Sequence, residues 1–117
     1  MFPAFPGVRV YLATGVTDLR KSIDGLSMLV ADYLDLDVFS GHLFAFCNRK
    51  RDMVKVLYWD RNGFCLWHKR LEKDRFVWPE TEHDVLSIEA RELSWLVEGL
   101  PLSQPGAHAR LEYSVIS

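Results

Sequence analysis

The chain of 117 residues is 49% hydrophobic, 13% aromatic and 26% charged, with seven glycines and five prolines. That length suits one domain, and the apolar share is enough for a packed core, which excludes global disorder and collagen-like or low-complexity architectures. The net charge of -2 hides a division: residues 1–48 balance at -2, residues 49–75 at +5 and residues 80–117 at -5. A basic middle between acidic ends points to a local site for an anion, nucleic acid first among the candidates, while the plainer reading is Lys and Arg solvating an exposed hairpin. Cys47 and Cys65 are too few for a disulfide framework. No apolar run approaches the roughly 18 residues of a membrane span. Pro3, Pro6 and Gly7 break the apolar N-terminus with no basic stretch before it, unlike a signal peptide. The expectation is a soluble, cytoplasmic protein with no membrane partner, one domain over residues 1–117 with its compact part at about 7–100 and a weakly patterned tail over 101–117.

In chain order, Val8 to Thr14 alternates and is rich in β-branched and aromatic residues, so it reads as a strand ended by Gly15. Thr17 or Asp18 can cap a helix. After it, Leu19, Ile23, Leu26, Val30 and Tyr33 lie on one apolar stripe running to about Leu34. Gly25 inside that helix costs about 1 kcal/mol against Ala and so suggests close packing against a neighbour. Arg20 and Lys21 in its first turn oppose the helix dipole, which calls for an anionic partner such as Asp18, Asp24 or an external phosphate. Three strands follow at Leu43 to Cys47, Met53 to Trp59 and Phe64 to Leu71. The polar stretch from Asn48 to Asp52 joins the first two, and Asp60-Arg61-Asn62-Gly63 is the strongest turn signal, because Asn-Gly tolerates positive φ. Short apolar elements surround Phe76 to Pro79 and Val85 to Leu86. Ser87 can cap a second helix that buries Ala90, Leu93, Leu96 and Val97 and stops at Gly99. Leu111 to Ile116 suits a last strand. The fold class expected is α+β: an antiparallel β-meander of about four to five strands with two helices on one face.

Pairing Trp59 with Phe64 sets Lys55 opposite His68. Pairing Cys47 with Met53 puts Phe44, Phe46, Val54, Val56, Tyr58 and Trp67 on one face, the expected core. The other face then carries Lys55, Leu57, Trp59, Phe64, Leu66, His68 and Arg70, near the loop of Arg49, Lys50 and Arg51. Basic side chains beside aromatic platforms suit nucleic-acid backbone; they suit a subunit interface as well.

Pro6 to Gly15, TDLRKSIDGL from Thr17 to Leu26, and the block from Phe46 through NRKRD, Lys55, LYWD, Gly63, KRLE, Phe76 and Trp78-Pro79 together resemble the small accessory proteins of the insertion sequence 66 class, the TnpB-type product of the element's second reading frame. This family is distinct from the RNA-guided nuclease that shares its label. The likeness runs from about Gly7 to Gly99, and the order and spacing of the pieces carry it. The resemblance implies a part in transposition of a bacterial mobile element, beside a separate transposase that performs the strand chemistry. It brings no catalytic residue with it.

The residues themselves offer little chemistry. Asp18, Asp24, Asp60 and Glu72 are the carboxylates available to a two-metal nuclease, yet VRVYLAT holds no acid where an RNase H-like core places its first. Asp18 and Asp60 read better as a cap and a turn residue. Cys65 and His68 lie three apart on a strand and point to opposite faces, which disfavours zinc binding or a Cys-His nucleophile pair. Without a glycine-rich phosphate cradle, no nucleotide cofactor is expected. The expectation is a non-catalytic accessory protein with no cofactor and no metal. Arg49, Lys50, Arg51, Lys55, Lys69 and Arg70 would contact DNA phosphates, with Trp59 and His68 as neighbours. The alternative is an adaptor that docks the transposase of the same element, and a second copy of the chain is a further candidate partner.

Overall fold

The structure, a computed structural model, describes residues 7–102. Five strands and two helices follow in the order β1 (Val10–Ala13), α1 (Ile23–Met28), β2 (Leu43–Cys47), β3 (Met53–Asp60), β4 (Gly63–Arg70), β5 (Val85–Ile88) and α2 (Ala90–Val97). The strands form one sheet in the order β4-β3-β2-β1-β5. The fold is α+β with a mostly antiparallel sheet, as the hydrophobic patterning indicates. Its strands β2, β3 and β4 form the expected meander. Its centre differs: β1 and β2 are parallel, which requires a crossover connection, and α1 supplies it. Strand β5 returns antiparallel to β1.

The helices lie on opposite faces, not on one. Leu26 and Val30 of the first helical segment pack with Leu19, Phe44, Phe46 and Leu57 on one face. Leu93, Leu96 and Val97 of α2 pack with Val10, Leu12, Ala45, Val54, Val56, Phe76 and Trp78 on the other. The reason is in β2, where all five residues of LFAFC are buried. A strand apolar on both faces needs cover on both. Trp78 closes the α2 side by donating its indole N–H to the Ala13 carbonyl at 2.9 Å.

The β3–β4 register is the expected one, with Lys55 opposite His68 and Trp59 opposite Phe64. The β2–β3 register differs by one residue: Cys47 pairs with Val54, not Met53. Asn48 causes the shift. Its backbone N–H extends the ladder to the Met53 carbonyl at 3.2 Å. Its side-chain oxygen accepts from the Asp52 and Met53 amides at 3.1 Å each, and its amide donates to Asp52 at 2.7 Å. A one-residue slip exchanges faces, so Phe44 and Phe46 share the α1 side with Leu57 and Lys55.

Local details also depart from the expected ones. Asp18 does not cap α1; its carboxylate accepts from the Arg20 amide at 3.0 Å in a turn, and α1 starts at Ile23. The helix continues as a π-turn over Leu29–Tyr33, with the Leu34 amide bonded to the Leu29 carbonyl. The wider turn rotates Leu34 into the core and leaves Tyr33 65% exposed. The tight contact at Gly25 is within its own segment: an added Cβ would stand 3.1 Å from Lys21 Cβ, in the turn just before the helix. Ser87 belongs to β5, and α2 is capped by the reciprocal Glu89–Glu92 box. In the β3–β4 hairpin the positive φ falls on Arg61, at 51°, and not on Asn62 or Gly63. The strand suggested for Leu111 to Ile116 lies outside the described residues.

Replacing Asn48 with Ala removes three side-chain hydrogen bonds from a half-buried turn. The expected loss of stability is about 2–3 kcal/mol, measured by urea unfolding with the slope unchanged.

Candidate functional site

Both parallel strands end at the same edge of the sheet, and the segments that follow them, residues 14–22 and 48–52, face each other there. Between them opens a cleft of about 770 Å³ lined by Val16, Thr17, Asp18, Leu19 and Arg20 on one side and Asn48, Arg49, Lys50, Asp52 and Met53 on the other, with Arg70 at its margin. The hydrogen bond from the Thr17 amide to the Cys47 carbonyl, at 3.0 Å, ties the first wall to β2. Asn48 shapes the second wall through the bonds that set the register. Met53 pairs with Arg70, which brings the last basic residue of β4 to the same edge.

Three of the eight basic or aromatic residues singled out in the sequence, Arg49, Lys50 and Arg70, line this cleft. The other five are distributed elsewhere. Lys55 leaves the α1 face and donates to the Leu19 and Lys21 carbonyls at 2.6 and 3.2 Å. Lys69 leaves the opposite face and donates to the Val97 carbonyl at 2.8 Å, where its charge also complements the end of α2. Arg51 turns inward: its Nη1 is buried without a hydrogen-bond partner, beside the Cys47 thiol. Burial pushes that thiol up more than the guanidinium pulls it down. His68 is exposed on the α1 side. Trp59 packs edge-on against Phe39 and Phe64, with ring centroids 5.2 and 5.0 Å away. That cluster sits at the far end of the β3–β4 hairpin, roughly 20 Å along the strand from Met53.

Arg20 joins the cleft in their place. Its guanidinium binds Asp18 as a fork, Nε to Oδ1 at 2.9 Å and Nη2 to Oδ2 at 2.7 Å. The sequence signal was the short Asp18-to-Arg20 spacing, already readable as an internal ion pair. That pair holds the Asp18 carboxyl far below the usual carboxylate range, chiefly through the side-chain hydrogen bond and then the backbone one. The Asn48 amide lowers Asp52 in the same way. Both carboxylates are thus engaged by donors of the cleft wall. Arg49 and Lys50 are exposed and make no ion pair among the described residues. Among the described residues Arg70 makes one ion pair, an exposed contact to Glu72 at 3.4 Å, of a kind worth little in water. Four cations against two anions leave the lining positive.

A second recess of about 490 Å³ lies beside the first, between the 13–17 segment and α1, and is bordered by Val16, Met28 and Tyr33. Met28 and Tyr33 are 62% and 65% exposed. Among the described residues no group of three or more His, Cys, Asp or Glu side chains is placed to hold a metal ion, and no helix is long and apolar enough to cross a membrane.

Comparison with known proteins matches residues 8–107 to the family described as IS66 Orf2 like protein. The uncharacterized protein y4hO of Sinorhizobium fredii is 39% identical over 105 residues, covering 90% of this chain and 91% of that protein. A second protein of that organism, the uncharacterized y4jC, is 35% identical over 94 residues, 80% of each chain. No solved structure matches.

The Asp18–Arg20 pair makes a titration prediction. A carboxyl whose folded pKa is depressed contributes stability above its unfolded pKa of about 3.9, and loses it as pH falls through the lower folded value. Asp18 should therefore remain ionised through pH 4 in an NMR carboxyl titration. Arg20→Gln should return its midpoint toward the ordinary value.

Proposed function

Since the chain belongs to the family of IS66 Orf2-like proteins, whose place is insertion-sequence transposition, we propose that it serves as a non-catalytic accessory protein that contacts DNA phosphates. The contact surface is the cleft at the carboxyl ends of β1 and β2, with Arg49, Lys50 and Arg70 as the phosphate ligands. The observation that carries this reading is the convergence of these cations, from two separate elements, on one concave surface whose carboxylates are already bonded to its own walls. Arg49 and Lys50 keep their charges available, and arginine suits phosphate through its planar fork of donors. The separate transposase supplies the strand chemistry.

The adaptor reading draws on a different feature, the second recess with its exposed Met28 and Tyr33. Met and Tyr are residues that protein interfaces favour, and there the chain would dock the transposase without touching DNA. Pull-down of transposase from nuclease-treated extract, lost in a Met28→Asp variant but kept in an Arg49→Ala/Lys50→Ala variant, would support it.

DNA contact has a quantitative signature. With about three phosphates neutralised, log affinity for duplex should fall with log salt at a slope near -3. Arg49→Ala/Lys50→Ala should flatten that slope to about -1, for terminal repeats of the element and for unrelated duplex alike. Lys55→Ala should lower thermal stability and leave the slope in place, because its ammonium group is bonded to carbonyls beneath α1. A salt-independent affinity would remove the reading.

A further inference from the structure

We propose that the cleft is built for single-stranded DNA, an unstacked base entering it while the flanking phosphates lie on its rim. This deepens the phosphate-contact reading and rests on it. The first ground is the mixed character of the lining: exposed Val16 and half-buried Met53 stand among the cations. A duplex presents phosphates outward and keeps its base faces stacked, so an apolar surface inside a recess finds no counterpart there. A single strand offers both, an apolar base face beside a charged backbone.

Size is the second ground. A recess of about 770 Å³ falls in the range of sites that enclose a drug-sized ligand, which corresponds to about one or two nucleotides. A double helix cannot enter it and would touch only its rim. The third ground is the placement of charge on the rim: Arg20 is engaged by Asp18, while Arg49 and Lys50 on the turn and Arg70 at the margin lie where phosphates flanking an enclosed base would run.

The test is a fluorescence-anisotropy titration of the full chain against one labelled 20-mer, presented single-stranded and annealed to its complement, at two salt concentrations. The single strand is expected to bind at least ten-fold tighter, with a slope near -2. Val16→Ser, at a 48% exposed position, should weaken single-strand binding about three-fold and leave duplex binding unchanged. Duplex binding equal to or tighter than single-strand binding, with its salt dependence intact, would overturn the single-strand inference and keep the phosphate reading. Absence of salt-dependent binding to either form would overturn both.

Discussion

A central strand with no polar face governs this molecule. Leu43–Cys47 is buried at every position, so neither side of the sheet can be left to water. One side is covered by the crossover helix, the other by α2 together with Phe76 and Trp78. The covering elements must approach from opposite directions, and two lysines hold them down. Lys55 reaches the carbonyls before α1, and Lys69 reaches the last turn of α2. Each charge is stabilised by backbone oxygens instead of a carboxylate.

The parallel β1–β2 pair has a second consequence. Parallel strands deliver their following segments to one edge of the sheet, and ligands of open sheets with parallel strands commonly lie outside those carboxyl ends. Here the two segments carry Arg20 on one side and Arg49 and Lys50 on the other, with Arg70 arriving because it pairs with Met53. The cleft is therefore a product of topology. The antiparallel β2–β3–β4 pairing gathers Arg49, Lys50 and Arg70, and the parallel β1–β2 pair brings the segment carrying Arg20 to face them.

Asn48 links fold and site. Its side chain closes the β2–β3 turn, sets the register that buries Phe44 and Phe46 under α1, and donates to the ionised Asp52 carboxylate in the cleft lining. The same turn places Arg51 at a φ of 59° and directs its guanidinium toward Cys47, away from its neighbours Arg49 and Lys50. Three consecutive basic residues thus take two different roles, because the backbone of a tight turn points successive side chains in different directions.

Residue patterns were sufficient for the strands β2 to β4, the β3–β4 pairing, the apolar stripe of α2, the family and the basic character of the middle third. These follow from local periodicity, turn chemistry and composition, which act over a few residues. The continuous apolar run LFAFC also announced a strand buried on both faces, a signal that argues against placing both helices together. What depended on tertiary structure was the parallel crossover, the one-residue register set by Asn48, and the sorting of cations into those that hold helices and those that remain free. Each of these is decided by contacts between segments distant in the chain. A lysine's role follows from whether a carbonyl from another segment lies within reach of its ammonium group, and only the assembled fold brings that carbonyl there.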